Sequence, residues 1–339
     1  MNSKLKTMDA DTLLSTPLRK TQFIVNGLIS QGVHLLCGAS KIGKSWLMLK
    51  LCLQVALGEP TWELQTHQCT VLYLCLEDTF NRIQNRLYEL TDNAPNNLHF
   101  AVMSNKIGGG LEEQIVGFLE EHIDTKFIVI DTLQKIRNAR ASIGANGMYG
   151  CDYEDISAIK NLANQYKLSI VLVHHLRKLE DNADPFNQVS GTTGITGAVD
   201  STFVLKKDNR STDTAKLLVT GRDIEYQEFT LRFRNKVWEL VERKSSEEIK
   251  AEETPQFLFE LVNLMADKTE WKGSATQLLS ELNQEQLNPN SVTKLLSRFY
   301  YDVLEPNGIR YTTRRTGKCR EITLTRSDGN DANDGKSYI

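Results

Sequence analysis

Apolar residues of this chain fall into short runs that alternate with amphipathic segments up to about residue 243. Runs of four to seven apolar residues between polar turns indicate buried strands, and apolar residues three or four apart indicate helices. The strands predicted in this way lie at 33–37, 70–76, 98–103, 127–131, 169–174 and 202–206. The predicted helices lie at 44–57, 80–90, 111–122 and 153–166. Such alternation is typical of an α/β fold, a mostly parallel sheet with helices on both faces.

The pattern changes after the last of these strands. Three closely spaced β-rich runs, at 214–220, 226–233 and 236–241, indicate an antiparallel edge to the sheet. Residues 244–255 are charged and poor in apolar side chains, as in a domain linker. Beyond it, 256–326 predicts three helices and then a basic hairpin.

The chain is therefore expected to hold two domains, at 21–243 and 256–326. Residues 1–20 form an N-terminal extension in this interpretation, and 327–339, rich in Asp, Asn and Gly, are expected to be disordered.

Composition narrows the environment and the partners. With 339 residues, 40% of them hydrophobic, the chain can bury a large core. A formal charge of −3 means that any contact with nucleic acid must come from local basic patches. The six cysteines form no C-x-x-C pair, which favours reduced thiols and no zinc site. No apolar run is long enough for a membrane span or a signal core, so a cytoplasmic protein is expected.

One motif carries the strongest chemical information. Residues 38–45, Gly-Ala-Ser-Lys-Ile-Gly-Lys-Ser, fit the phosphate-binding pattern G-x-x-x-x-G-K-(S/T), between a predicted strand and a predicted helix. Lys44 is expected to reach the β- and γ-phosphates, and the Ser45 hydroxyl to hold Mg²⁺. The residues expected to surround the nucleotide are Gly38, Ala39, Ser40, Lys41, Ile42, Gly43, Lys44, Ser45 and Trp46.

Two more strands end in carboxylates. Asp131 closes the strand at 127–131 and is a candidate Mg²⁺ ligand beside Ser45, although a strand-terminal Asp can also cap a turn. Glu77 and Asp78 follow the strand at 70–76. Glu77 is the candidate for activating the attacking water, while Asp78 is suited to cap the next helix.

Adjacent histidines, His174 and His175, end the strand at 169–174. A polar residue at this position can sense the γ-phosphate and relay its presence to the following loop. Successive strand residues point to opposite faces, so the pair does not form a metal site.

These motifs occur in a fixed order, and Gly221-Arg222-Asp223 follows them. Over about residues 20–240 the set resembles the RepA-type branch of RecA-fold ATPases, the hexameric replicative helicases of plasmids and mobile elements. It is similar, more distantly, to DnaB-type helicases and RecA recombinases. The resemblance implies a RecA-like fold, ATP and Mg²⁺ as cofactors, Glu77 as the catalytic carboxylate, and either His174 or His175 as the γ-phosphate sensor. It also implies that Arg222 is an arginine finger for the neighbouring subunit. The alternative for Arg222 is a surface salt bridge to Asp223 or Glu225.

Two loops leave the strand ends that carry this chemistry, at 134–152 and 176–191. In RecA-like rings the corresponding loops hold single-stranded DNA, and cations beside an aromatic such as Tyr149 suit that role. They can equally be mobile surface loops. The candidate contacts are Arg137, Arg140, Arg177 and Lys178.

The predicted C-terminal domain ends in a basic hairpin. Residues 310–326 contain six basic side chains and one acidic, a local charge of +5. The order of helices and hairpin resembles a winged helix, which can hold duplex DNA between a helix and its wing. Candidate contacts here are Arg314, Arg315 and Lys318. The alternative is a winged domain that binds protein or regulates.

The sequence thus predicts an ATP-dependent DNA motor, a ring-shaped homo-oligomer that works as the replicative helicase of a mobile genetic element. The alternative is a nucleotide-switched, DNA-binding regulatory ATPase without processive unwinding. DNA, single-stranded or duplex, is the expected partner.

Overall fold

The computed structural model describes residues 7–17, 21–138, 145–176, 184–189, 193–207, 209, 211–284, 286–315 and 320–326. The chain divides into two compact units, Met1–Ser246 and Glu247–Ile339.

The strands of the first unit are β1 Phe23–Val25, β2 Ile29–Ser30, β3 Gly32–Gly38, β4 Thr70–Cys75, β5 Leu98–Ala101, β6 Thr125–Asp131, β7 Ser169–His175, β8 Ser201–Lys206, β9 Thr214–Gly221, β10 Gln227–Arg234 and β11 Val237–Ser245. Its helices are α1 Ala10–Ser15, α2 Lys44–Leu57, α3 Phe80–Tyr88, α4 Leu111–Glu121, α5 Leu133–Ile136, α6 Ala145–Tyr166 and α7 Thr193–Ala198, with a 3₁₀ helix at Pro185–Gln188.

Nine of these strands form one sheet in the order β11-β10-β9-β8-β3-β7-β6-β4-β5. From β8 to β5 every neighbouring pair is parallel, whereas β9, β10 and β11 add antiparallel strands at one edge. The strands alternate in sequence with helices that cover both faces, as parallel sheets require. The predicted α/β fold class is confirmed.

Separate apolar clusters lie on the two faces of this sheet. All seven residues of β3 are buried, and its side chains alternate between them: Leu36 belongs to the cluster under α2, and Leu35 to the cluster under α4 and α6. Because β3 is fixed from both sides, the loop that follows it starts from a rigid position.

Two segments are more ordered than the sequence suggested. The helix predicted at 153–166 begins at Ala145, so much of the predicted loop at 134–152 is helical. Gly147 and Gly150 had favoured a loop, but a glycine costs a helix only about 1 kcal/mol. Similarly, β11 continues to Ser245 and a helix, α8 Ser246–Glu253, follows it within the segment 244–255.

The second unit has its own core and a small sheet. After α8 come α9 Gln256–Leu264, β12 Glu270–Ser274, α10 Ala275–Glu281, α11 Pro289–Arg298, short helical turns at Tyr300–Leu304 and Glu305–Asn307, β13 Ile309–Arg315 and β14 Arg320–Arg326. The sheet has the order β12-β14-β13. The sequence did not predict β12, because Trp271 is its only buried side chain and no alternation marks it.

The described helices of both units are too short or too polar to cross a lipid bilayer.

A buried histidine in β3 makes the stability of the first unit depend on pH. His34 is fully buried; its Nε2–H donates to the Ser30 carbonyl at 2.6 Å, which leaves Nδ1 to accept from the Ser201 hydroxyl at 2.5 Å. Both contacts fit the neutral ring, and burial lowers the pKa of His34 to about 4. As pH falls below about 6.5 the unfolded chain gains a proton that the folded chain does not take up, so stability is lost on acidification.

We expect the free energy of unfolding to fall by about 2 kcal/mol between pH 7.5 and pH 5 on account of His34 alone. Chemical denaturation followed by tryptophan fluorescence at both pH values measures this change. His34→Gln, whose amide can also donate and accept, should lose stability overall but show a smaller pH dependence. An unchanged pH dependence in that variant would contradict the assignment.

Candidate nucleotide site

The candidate site lies at the carboxyl edge of the parallel strands. The ends of β3, β7, β6 and β4 are neighbours there, since Gly38 pairs with His175 and Asp131 pairs with both Val173 and Cys75. Ligands of open α/β sheets bind at this edge. The order of the strands thus brings the candidate residues of four sequence segments to one place.

The loop at residues 38–45 has a backbone that few sequences can adopt. Lys41 and Gly43 have φ angles of 64° and 107°, in the left-handed region. A Cβ on Gly38 would lie 3.0 Å from the Leu205 carbonyl oxygen, and one on Gly43 would lie 3.0 Å from Nε1 of Trp238. Both glycines are therefore required by close approach of the chain, and Gly43 by its conformation as well.

Trp238 of β11 supports the loop from behind. Its Nε1–H donates to the Gly43 carbonyl at 3.2 Å, and its own carbonyl accepts from Nε1 of Trp62 at 2.8 Å. No side chain caps the start of α2, so the amides of its first turn face the loop with the positive end of the helix dipole. Such an end binds phosphate groups. Sequence analysis missed Trp238, since nothing in its local pattern links it to a loop so far away in the chain.

The Lys44 ammonium lies across this loop. It donates to the carbonyls of Gly38 and Ala39 at 2.8 and 3.0 Å, and it is buried. Burial lowers the pKa of Lys44, and the negative charge of Asp131 opposes that effect. Its charge is thus placed where a bound polyphosphate would lie.

Ser45 and Asp131 are in contact, as the sequence suggested. The Ser45 hydroxyl donates to Oδ2 of Asp131 at 2.7 Å, and the Tyr73 hydroxyl donates to the same oxygen at 3.2 Å. Burial raises the pKa of Asp131, while the hydrogen bonds from Ser45 and Tyr73 lower it. A hydroxyl beside a carboxylate, with room left for phosphate oxygens and water, suits Mg²⁺, which takes few protein ligands. These two residues fit the ion, and Tyr73 holds the carboxylate in place.

Glu77 comes next to this pair from β4. It is exposed, and its Oε1 accepts a hydrogen bond from the Thr132 hydroxyl at 3.3 Å. Thr132 directly follows Asp131, so one strand end orients both carboxylates. An exposed, oriented carboxylate at this position can accept a proton from water.

Asp78 does not cap the following helix, contrary to the prediction. Thr79 is the N-cap of α3 and accepts from the Arg82 amide. The Asp78 carboxylate instead pairs with Arg82 at 2.9 Å and with Arg86 at 2.6 Å. The residue one position later completed the cap because the chain turns only at Thr79.

Of the two histidines, His175 is the one that faces the site. The pKa of His175 is lowered by burial and by the nearby charge of Lys44, and the charges of Glu77 and Asp131 oppose this. His174 is buried on the neighbouring position of the strand, where its side chain points to the other face. The geometry selects His175 as the candidate γ-phosphate sensor.

Arg222 lies at the opposite edge of the sheet from the phosphate loop. It follows Gly221, which pairs with Ser201 at the start of β8, whereas Gly38 pairs with Leu205 near the end of β8. Its side chain is 60% exposed, donates to the Gly197 carbonyl at 3.2 Å and lies 3.9 Å from Asp200. Neither Asp223 nor Glu225, the partners considered from the sequence, makes this contact. Arg222 cannot reach the phosphate loop of its own chain.

The candidate DNA contacts are only partly described. Arg137 pairs with Asp152 and, at 2.8 Å, with Asp155, so two carboxylates of its own chain neutralise it. Arg314 and Arg315 are exposed in β13. Outside the described residues lie Arg140, Arg177, Lys178 and Lys318.

A chain of contacts ties the catalytic strand to the phosphate-loop helix. The Arg86 guanidinium stacks on the Trp46 ring, 5.5 Å from its centre, while it holds Asp78. Trp46 follows Ser45, and Asp78 follows Glu77, so Arg86 connects the neighbours of two site residues. The only sequence signal was an arginine two turns along α3.

We expect Arg86→Ala to lower the turnover number for ATP about tenfold or more with a small change in KM, because misplacing a reacting group by about 1 Å can cost 10²-fold. Arg82→Ala is the matched control: it removes another guanidinium from Asp78 but one that does not touch Trp46. Steady-state ATPase kinetics compare the two. Equal losses in both variants would show that only the charge of Asp78 matters.

Comparison with known proteins fits this geometry. A family model for an AAA domain, AAA_25, matches residues 2–181. Among solved structures, an isolated ATPase domain matches with a TM-score of 0.50 at 12% identity, covering 62% of this chain and 85% of that one. A structure of a DnaB-like replicative helicase and its interactions with primase matches with a TM-score of 0.50 at 13% identity, covering 62% of this chain and 58% of that one. A search of curated proteins found no match. The structural matches confirm the predicted RecA-like fold of the first unit.

Proposed function

The chain belongs to the AAA_25 family of AAA domains, which makes it an ATPase, and from that premise we propose that it is an ATP-dependent DNA motor. In this proposal it works as a hexameric ring of identical subunits and acts as a RepA-type replicative helicase of a mobile genetic element. The observation that carries the proposal is the convergence of Lys44, Ser45, Asp131 and Glu77 at one edge of the sheet.

In the mechanism that we propose, Lys44 and the amides at the start of α2 bind the phosphates of ATP, and Ser45 and Asp131 hold Mg²⁺. When bound, the ion neutralises phosphate charge that builds up during transfer. Glu77, oriented by Thr132, accepts the proton of the attacking water.

Coupling to DNA is proposed from the positions of two chain segments. The segments after β6 and β7 leave the sheet directly beyond Asp131 and His175, at the same edge as the phosphate loop. His175 faces Lys44, so a γ-phosphate there would change the surroundings of the segment that follows β7. Single-stranded DNA held by these segments would then move with the hydrolysis cycle.

The arginine of the neighbouring subunit completes the proposed site. Because Arg222 is exposed and distant from the loop of its own chain, it is available to a second copy. A head-to-tail contact between copies generates a ring when the rotation closes, and it places one surface of each subunit against a different surface of the next.

Steady-state ATP hydrolysis with and without single-stranded DNA tests the proposal, with Lys44→Ala as the control. We expect DNA to stimulate turnover about tenfold, as conformational gating allows, and Lys44→Ala to abolish the activity. Strand displacement on a forked substrate would follow. Slow turnover that DNA does not change would instead favour a nucleotide-switched regulatory ATPase.

A further inference from the structure

The C-terminal unit carries a cationic surface although the whole chain is acidic. We define this basic face by three exposed side chains of α11, Asn290, Lys294 and Arg298, and by three of the hairpin β13–β14, Arg314, Arg315 and Arg320. Residues 256–287 of the same unit hold five carboxylates and two lysines, whereas α11 holds no carboxylate at all. Positive charge is therefore concentrated on one part of a small unit.

Helix α11 exposes a narrow polar stripe. Val292 and Leu296, four positions apart, are buried in the core of the unit, so Asn290, Lys294 and Arg298 lie on the opposite side. Asn288 caps the helix, with Pro289 at its first position. A helix of this kind fits the major groove of B-form DNA, about 12 Å wide, where Asn pairs with adenine and Lys with guanine.

The hairpin extends beyond the core of the unit. Thr312 to Arg315 are four consecutive exposed residues, so both faces of β13 are free of packing there, although its first residue, Ile309, is buried. Arg315 pairs in register with Arg320. Two guanidinium groups at the same level of a projecting ribbon repel each other unless an anion lies between or beside them.

We propose that the basic face binds duplex DNA, with α11 in the major groove, where Asn290 and Lys294 contact base edges, and with Arg314 and Arg315 on the phosphates. Duplex RNA is a poor fit because side chains cannot read its deep, narrow major groove. The inference concerns the second unit and does not rest on the motor function proposed above.

Phosphate contact is tested with the full chain and a dumbbell duplex of random sequence, whose closed ends offer no single strand. We expect Arg314→Ala/Arg315→Ala to weaken binding about tenfold or more near 0.1 M salt and to reduce the slope of log K against log salt by about 2. The matched control, Arg232→Ala/Arg234→Ala, removes two exposed arginines of β10 and should bind like the parent chain. Melting temperatures verify that both variants fold. Equal affinities and slopes for the two double variants would overturn the proposal, as would tighter binding of duplex RNA.

Base reading is tested by selection from a pool of randomised duplexes. The parent chain should enrich one sequence, and Lys294→Ala should lower its preference for that sequence over the pool about tenfold, a typical value for losing one base contact. No enrichment, or the same preference in the variant, would overturn the placement of α11. Lys44→Ala should bind and select as the parent chain does, which separates this result from the ATPase test. Loss of selection in Lys44→Ala would place DNA recognition in the first unit.

Discussion

Replacing Arg222 with alanine is expected to lower the turnover number for ATP by about 10³-fold or more, because an arginine finger stabilises charge on the transferring phosphoryl group. ATP binding should change little, since the chain's own phosphate loop lies at the other edge of the sheet. Seven residues of β3 separate the two edges, about 20 Å at the rise of a strand. Turnover and nucleotide affinity, measured on the same protein, give the two quantities.

A mixing experiment distinguishes a finger that acts on the neighbouring subunit from one that acts on its own. Arg222→Ala subunits keep an intact phosphate loop, and Lys44→Ala subunits keep an intact finger. In a mixed ring with equal shares of both, about one interface in four combines the intact loop with the intact finger. We therefore expect the two inactive proteins to regain about a quarter of the parent activity when they assemble together.

Arg232→Ala is the control for removing an exposed arginine from the same antiparallel edge, and it should hydrolyse ATP normally. If mixing restores nothing while the variants still co-assemble, Arg222 does not serve a neighbouring site. In that case its contacts with Gly197 and Asp200 would be its function, and the loss of activity would reflect local structure.

The elements of the first unit could be predicted because each carries a local pattern. The buried runs that became β3, β4, β6 and β7 were within two residues of their observed bounds, and their carboxyl ends carried the polar residues that meet in the site. In a parallel sheet these ends must lie at one edge, so sequence order and strand direction together place Ser45 near Asp131.

What the sequence did not reveal depends on contacts between distant residues. Trp238 supports Gly43 across almost the whole unit, and Tyr73 fixes Asp131 from the adjacent strand. Neither residue differs in local pattern from an ordinary core aromatic. Whether His174 or His175 faces the site was also open, since a one-residue change of register exchanges the faces of a strand.

Glu77→Gln provides the second large effect. We expect the rate of the hydrolysis step to fall about 10²- to 10⁴-fold, the usual contribution of a general base. The amide keeps the shape of the side chain and can still accept from Thr132, but it cannot take a proton from water. Single-turnover hydrolysis measures the step itself, and equilibrium titration with a fluorescent ATP analogue should show unchanged affinity.

Asp78→Asn decides between the two adjacent carboxylates. Asp78 is engaged by two arginines and its side chain is only 10% exposed, so it offers no free oxygen to a water molecule. Its loss should disturb the position of Arg86 and lower the turnover number less than Glu77→Gln does. A larger loss of the chemical step in Asp78→Asn than in Glu77→Gln would exchange their roles, and Arg82 and Arg86 would then act by tuning the base instead of holding the strand end in place.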